Sequence, residues 1–253
     1  MAFTRTYDED EPQRVNKWLA QAGVCSRREA EALIADGLVS IDGETVEDVG
    51  RKILQGQTLV LADRATDKLG ASLTVLIHKP VGFVSAQPEA GEVPAARLLT
   101  RANLWRGEGP IPGSGDLLPP IGRLDKDSRG LLLLSEDGVV AKAVIGPQSD
   151  LEKEYRVAVM GEITEEKLEL LRFGLELDGR ELRPAKVEMI SDQRFSIVLQ
   201  EGRNRQIRRM CELVELKVVD LFRVRVGTLT LADMPEGYWR HITPQERAAL
   251  IAI

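Results

Sequence analysis

The sequence predicts a protein of mixed helix and strand, divided into one small and one large unit. Three observations predict it. A chain of 253 residues exceeds one minimal domain and suits a large one joined to a small one. Between residues 14 and 61 apolar residues recur at helical spacing and then give way to a hairpin signal. Beyond residue 73, after a polar stretch at 63–72, the apolar runs are mostly short and strand-like, with few helical patterns between them.

Composition narrows the function classes. A hydrophobic content of 43% can supply an ordinary core. No apolar run reaches membrane-spanning length, and the acids at 8–11 stand where a signal peptide needs an apolar core. Cys25 and Cys211 lack metal-ligand spacing and have only two histidines to join them, so they read as free thiols in a reducing cytoplasm, with no metal site. A net charge of −6 argues by itself against nucleic-acid binding. Its distribution argues otherwise: Arg203, Arg205, Arg208 and Arg209 fall within seven residues that hold no acid. Nucleic acid would have to be met through such patches, in a salt-sensitive way.

In chain order, residues 1–12 lack apolar pattern and are expected to be a disordered tail. Val15, Trp18, Leu19 and Ala22 define an amphipathic helix. Ser26 and Glu29 form a capping box for a second helix that buries Ala30, Leu33 and Ile34 and stops at Gly37. Asp42-Gly43 marks a hairpin, and Thr58 to Leu61 a further strand. Arg27 and Arg28 sit at a helix N-terminus, where the dipole disfavours cations. They are either two solvated arginines or part of a phosphate site, which Arg14 and Lys17 would extend. Residues 63–72 read as an irregular linker.

Leu73 to Ile77 then reads as a strand, followed by a turn at Lys79-Pro80-Val81-Gly82. Residues 86–119, dense in Gly and Pro, read as a long insertion loop. The centre of the sequence is Ile121 to Gly138. There the six side chains Arg123, Asp125, Lys126, Asp127, Ser128 and Arg129 lead into Leu131 to Leu134, a strand buried on both faces. A short helix follows near 139–145. Tyr155, Val157 and Val159 alternate along a strand, so on pattern alone Tyr155 is a core tyrosine. Thr164 caps a helix, Asp178-Gly179 makes a hairpin, and strands follow near 185–190 and 195–200. Ile207, Met210, Cys211 and Val214 place a helix from about Asn204, with four arginines around its first turn, costly unless a carboxylate or anion is close. Arg223 and Arg225 share one face of the next strand and read as solvated. Thr243-Pro244-Gln245-Glu246 caps a final helix.

Several of these stretches resemble one family. Gly122-Arg123-Leu124-Asp125-Lys126-Asp127-Ser128-Arg129-Gly130-Leu131-Leu132 resembles the catalytic signature of the pseudouridine synthases, in the branch that modifies ribosomal RNA and carries an N-terminal S4 domain. Lys79 to Gly82 resembles that family's first motif. Glu152-Lys153-Glu154-Tyr155 and Gly202-Arg203-Asn204-Arg205-Gln206-Ile207-Arg208-Arg209-Met210 resemble two more. Residues 13–62 are similar to the S4 RNA-binding domain. Within the branch, the spelling is most similar to the F-type synthases, which act on the larger ribosomal RNA. The resemblance implies an α+β fold: an S4 domain of two helices and short strands, then a catalytic domain over 73–253 with a mixed, largely antiparallel sheet and the active site in a cleft across it.

The resemblance also implies roles. Asp125 would be the nucleophile, Arg208 the arginine paired with it, Tyr155 the ring against the target uracil, and Arg123 the side chain that fills the gap of a flipped nucleotide or clamps the next phosphate. Arg14, Lys17, Arg27, Arg28, Lys79, Arg203, Asn204, Arg205, Gln206 and Arg209 would meet RNA. The reaction implied, uridine to pseudouridine in ribosomal RNA, is an isomerisation that needs no cofactor and suits a monomer. Two other readings compete with it. A non-catalytic S4-type or ribosome-associated RNA-binding protein would leave Asp125, Tyr155 and Arg208 without a joint role. An aspartyl-phosphate hydrolase would use Asp125-x-Asp127, but it would place the apolar strand before the aspartates, whereas here it follows them.

Overall fold

The computed structural model describes residues 3–113 and 118–252, which divide into two compact units. The first holds the chain up to Leu73 together with Glu136–Lys142; the second holds Thr74–Ser135 and everything from Ala143.

In the first unit two helices, Val15–Gln21 and Arg27–Ala35, accompany an antiparallel sheet. Its strands run in the order Phe3–Thr6, Thr58–Leu61, Val39–Ile41, Glu44–Thr45. Ser26 makes the expected capping box with Glu29. The core is Tyr7, Val15, Trp18, Leu19, Leu33, Ile34, Ile53, Leu59 and their neighbours. Two expectations fail here. Within the expected tail, whose residues 1–2 lie outside the described residues, Phe3–Thr6 pairs along Thr58–Leu61, and Tyr7 is fully buried edge-on to Trp18 at 5.4 Å. Four residues with mostly exposed side chains give no burial pattern; main-chain pairing holds them instead. The expected linker contains a helix, Asp63–Gly70, whose one buried residue is Ala65. Its apolar face is too sparse for periodicity to reveal. At Gly138 a Cβ would lie 2.2 Å from the Ser26 Cβ, so only glycine allows this approach.

The second unit is built on a nine-stranded sheet. Its order is Lys186–Ser191, Arg194–Leu199, Lys153–Met160, Lys217–Val226, Arg129–Ser135, Thr74–Lys79, Trp239–His241. Pro120–Ile121 pairs beside Arg129–Ser135, and Leu229–Thr230 beside Lys217–Val226. Every pairing in this sheet is antiparallel except one: Arg129–Ser135 runs parallel to Lys217–Val226 over two residue pairs, Arg129 with Phe222 and Gly130 with Arg223. The expected mixed, largely antiparallel sheet is present. Leu131 to Leu134 are completely buried, as the unbroken apolar run predicts. Helices Glu165–Arg172 and Gln206–Leu213 supply Leu168, Leu171, Ile207, Met210 and Cys211 to a core with Val157, Val159, Phe195 and Ile197.

The stretch 86–119 is more ordered than a loop reading allows, apart from residues 114–117, which lie outside the described residues. Val93–Pro94 pairs with Phe83–Val84, and two short 3-10 turns cover Ala95–Leu98 and Arg101–Asn103. Ala95, Leu99 and Leu118 are buried, and the Trp239 indole donates to the Thr100 carbonyl at 2.9 Å. Its anchors are single apolar residues spaced between glycines and prolines, which is why no periodicity marks them.

Candidate active site

The site lies where the short parallel pairing ends. Gly130 makes that pairing possible: a Cβ there would lie 2.2 Å from the Arg223 carbonyl oxygen, and the residue holds φ +112°. The charged loop 122–128 emerges just before this point and lines a cleft of about 510 Å³. Across the cleft stand Lys153 and Tyr155 from one strand, Leu221 and Arg223 from the next, and residues 203–207 before and at the start of the Gln206–Leu213 helix.

The loop is pinned from several sides. Ser85 Oγ donates to the Leu124 carbonyl at 2.6 Å and accepts from the Leu124 amide at 2.9 Å. The Gly82 amide donates to the Lys126 carbonyl, and the Ser128 amide to the Asp125 carbonyl. Arg208 donates to the Asp127 carbonyl at 2.8 Å and to Ser128 Oγ at 3.3 Å. Asp125 therefore sits on a fixed backbone, its side chain one-third exposed to the cleft.

The structure corrects the expected arginine partner. Arg205, not Arg208, faces Asp125, at 3.3 Å, and it also grips Asp127 through both guanidinium nitrogens at 3.2 and 3.0 Å. Arg208 reaches the Asp127 carboxylate, at 3.3 Å, rather than that of Asp125. The reason is the helix start. The helix begins at Gln206, two residues later than the apolar spacing suggests, and Arg205 is its N-cap, in the left-handed region at φ 47°. That conformation is uncommon for a non-glycine residue, and the two aspartates hold the side chain that adopts it. Arg208, one turn inside, is buried and braces the loop's backbone, with its Nε lacking a partner. Burial alone would raise the Asp127 carboxyl, but the Arg205 hydrogen bond and the Arg208 charge outweigh it and hold the pKa below the ordinary aspartate value.

The predicted patch of arginines at this helix is thus mostly engaged. Arg203 donates to the carbonyls of Leu177, Arg180 and Glu181 and lies beside Glu201. Gln206 is buried and bonded to Glu201 and to the Arg203 amide. Both line the cleft with their polar groups already engaged by protein. Arg209 pairs with both oxygens of Asp178, and Asn204 is exposed. Arg123 is exposed at the rim of the cleft with no bonded partner among the described residues. Lys79 corrects another expectation: it is fully buried, and its Nζ donates to the Pro80 and Phe83 carbonyls at 2.8 and 2.7 Å, clamping the turn. Burial pulls its pKa down to about 8 although Asp125 and Asp127 pull the other way.

Tyr155 combines both readings, packing partly against the core while its strand position lines the cleft. Behind it lies Arg223, whose guanidinium carbon is 6.0 Å from the ring centroid. Arg223 is buried, not solvated, and donates to the Leu131 and Gly122 carbonyls at 2.7 Å each, joining the strands on either side of the loop. Sequence alternation placed it on a face but could not tell which side of that face carried protein. In the first unit Arg14, Lys17, Arg27 and Arg28 are all exposed, and no side chain among the described residues holds any of them. Among the described residues there is no cluster with the makings of a metal site and no helix long and apolar enough to cross a membrane.

Known proteins carry the same combination. Residues 73–213 match the family model described as RNA pseudouridylate synthase, and residues 13–59 match that of the S4 domain. The dual-specificity RNA pseudouridine synthase RluF of Salmonella typhi is 36% identical over 239 residues, 94% of this chain and 78% of the relative. The ribosomal large subunit pseudouridine synthase B of Bacillus subtilis (strain 168) is 33% identical over 248 residues, 95% of this chain and 96% of the relative. A crystal structure of a pseudouridylate synthase superposes with a TM-score of 0.64 at 26% identity, over 94% of this chain and 99% of that one. With the family model covering more than half of the chain, including the 122–128 loop and the 203–207 stretch of the cleft, the chain belongs to the RNA pseudouridylate synthases, with an S4 domain ahead of the catalytic unit.

Proposed function

We propose that the protein isomerises uridine to pseudouridine in ribosomal RNA, of the large subunit, as a cytoplasmic monomer, with Asp125 as the nucleophile. The observation that carries this reading is Asp125 itself: a carboxylate on a pinned loop, open to a cleft, with the Arg205 guanidinium 3.3 Å away. The reaction breaks the N1–C1′ bond, turns the base and joins C5 to C1′. C5 gives up a proton and N1 gains one, so nothing is oxidised and no outside group enters. The target nucleotide must leave its stack to reach the cleft. Tyr155 offers a ring for the extruded uracil, and Arg123 is placed at the rim to fill the gap or hold the next phosphate. Arg208 acts through the loop it braces. Arg205 lies across Asp125 and orients it. The exposed cations Arg14, Lys17, Arg27 and Arg28, with Asn204 near the cleft, meet the RNA backbone.

The relative named as ribosomal large subunit pseudouridine synthase favours large-subunit RNA as substrate. The relatives named as dual-specificity make a second RNA class the alternative. Pseudouridine mapping tests both: RNA from cells with and without the gene, complemented by wild type or Asp125→Asn. Loss of one or two large-subunit sites, restored by wild type alone, is the expected result. Loss confined to small-subunit RNA or tRNA moves the substrate there, and no lost site removes the reading.

A further inference from the structure

Lys153 is a buried amine left without a counter-ion among the described residues. It opens the Lys153–Met160 strand, is 8% exposed, and lines the cleft two residues from Tyr155. Its Nζ makes one long hydrogen bond, 3.4 Å to the Leu151 carbonyl, and no carboxylate pairs with it among the described residues. Its strand neighbours, Leu199 on one side and Val226 on the other, are apolar. The charged group that bears on it most is Arg223, a second cation, committed to two carbonyls. Around the rest of the cleft the charged and titratable groups are Asp125, Lys126, Tyr155, Glu201 and the arginines 123, 203 and 205. Lys79 is the useful contrast: also buried, but held by two short bonds to carbonyls. Protein interiors rarely leave an ammonium so poorly satisfied. In a substrate cleft such a group marks the place of a ligand's charge or dipole.

The reaction supplies one. When the N1–C1′ bond breaks, its electron pair stays with the base, and the negative charge spreads onto the two uracil carbonyl oxygens. We propose that Lys153 is a catalytic residue whose ammonium donates to a uracil carbonyl oxygen and stabilises the charge that builds there as the base detaches. This deepens, and rests on, the reaction proposed at Asp125. Nζ keeps its proton throughout: the proton lost from C5 and the one gained at N1 pass through other groups. A pre-placed cation in a water-poor site acts most strongly where charge develops, so it speeds turnover more than it tightens binding.

The pH dependence separates this role from a structural one. Burial, and then the Arg223 charge, pull the Lys153 pKa down to about 8. A required ammonium therefore makes turnover fall as pH rises through that value, whereas an amine acting as base for the C5 proton would make turnover rise. The experiment is steady-state conversion of a ribosomal RNA fragment containing the mapped uridine, across about pH 6 to 10. Wild type, Lys153→Met, Lys153→Arg and Asp125→Asn are compared, with a melting curve for each. The inference expects kcat to drop ~10²-fold in Lys153→Met with KM within about twofold. It also expects Lys153→Arg to retain part of the activity while losing the fall at high pH. If Lys153→Met does not fold, the wild-type and Lys153→Arg profiles carry the test. A fall at high pH that persists unchanged in Lys153→Arg overturns the inference, as does a rise of wild-type turnover with pH, or a folded Lys153→Met that matches wild type. Wild type inactive on every RNA would instead sink the reaction itself. Turnover that Asp125→Asn abolishes leaves that reaction standing whatever Lys153 does.

Discussion

The two units use arginine in opposite ways. In the first, Arg27 and Arg28 stand exposed at a helix N-terminus with no side-chain partner among the described residues, and the same holds for Arg14 and Lys17. In the second, four arginines crowd a helix N-terminus, and each is tied: Arg203 to three carbonyls and Glu201, Arg205 to Asp125 and Asp127, Arg208 to the Asp127 backbone, Arg209 to Asp178. The same residue type at the same unfavourable end of a helix dipole is therefore left open in one unit and engaged in the other. A free guanidinium can follow a flexible phosphate backbone, at low cost and with high salt sensitivity. A tied one fixes geometry, because its planar fork constrains whatever it holds. The division concerns the arginines at these two helix starts only, since Arg123 and Lys153 line the cleft without a carboxylate partner among the described residues.

The largest effect that would break this division is at the group the tied arginines serve. Asp125→Asn should abolish turnover by at least ~10³-fold, the scale lost with a nucleophile, while leaving RNA affinity within about threefold. Conversion and filter-binding assays on one RNA read both, and turnover near the wild-type rate would remove Asp125 from the reaction. Next comes Gly130→Ala. Its methyl group would meet the Arg223 backbone at 2.2 Å in a conformation that already disfavours a side chain. Forcing the two strands apart should cost about 3 kcal/mol or more in urea unfolding; a melting curve within a few degrees of wild type would contradict the close parallel pairing. Arg205→Gly is gentler, since glycine accepts φ 47° and the stability change should stay within about 1 kcal/mol. It removes the hydrogen bond that does most to lower the Asp127 pKa. A carboxyl depressed on folding stabilises above its unfolded pKa, near 3.8, and that contribution is lost as pH falls through the lower folded value. In Arg205→Gly the acid-unfolding midpoint should move to higher pH; an unmoved midpoint would show that Arg208 alone holds Asp127.

Much of this contrast was legible in the sequence, and the gaps have physical causes. The buried strand at Leu131 to Leu134, the capping boxes at Ser26 and Thr243, and the hairpins at Asp42 and Asp178 follow from local rules and are present. So is the gathering of Asp125, Tyr155 and the Arg203–Gln206 stretch around one cleft. What sequence could not give was which partner each cation takes. Arg205 and Arg208 lie less than one turn apart, and a helix beginning two residues late exchanges their roles. Lys79, Lys153 and Arg223 look like surface charges because long polar side chains carry no burial signal of their own. Only the register of the strands beside them puts protein on both sides. The helix Asp63–Gly70 and the strand Phe3–Thr6 escaped for the converse reason, having too little apolar surface to show a period.

The smallest expected effect tests the other half of the comparison. Arg27 and Arg28 are exposed and bond to no other side chain among the described residues, so replacing both with alanine should change stability by no more than about 0.5 kcal/mol. The capping box made by Ser26 and Glu29 survives the change, because neither arginine takes part in it. If the pair meets phosphate, each contact releases counterions when it forms. Losing two should reduce the slope of log affinity against log salt by about 1.4 for single-stranded RNA, at ~0.7 per phosphate. Turnover at saturating RNA should be unchanged, since the reaction centre keeps every tied arginine. The same measurement on Arg209→Ala sharpens the result: that side chain is paired with Asp178, so its loss should move the slope much less than loss of the pair does. Equal slopes for wild type and Arg27→Ala/Arg28→Ala would mean that a cation without a partner is only a solvated one, and that exposure alone does not mark the binding face of this protein.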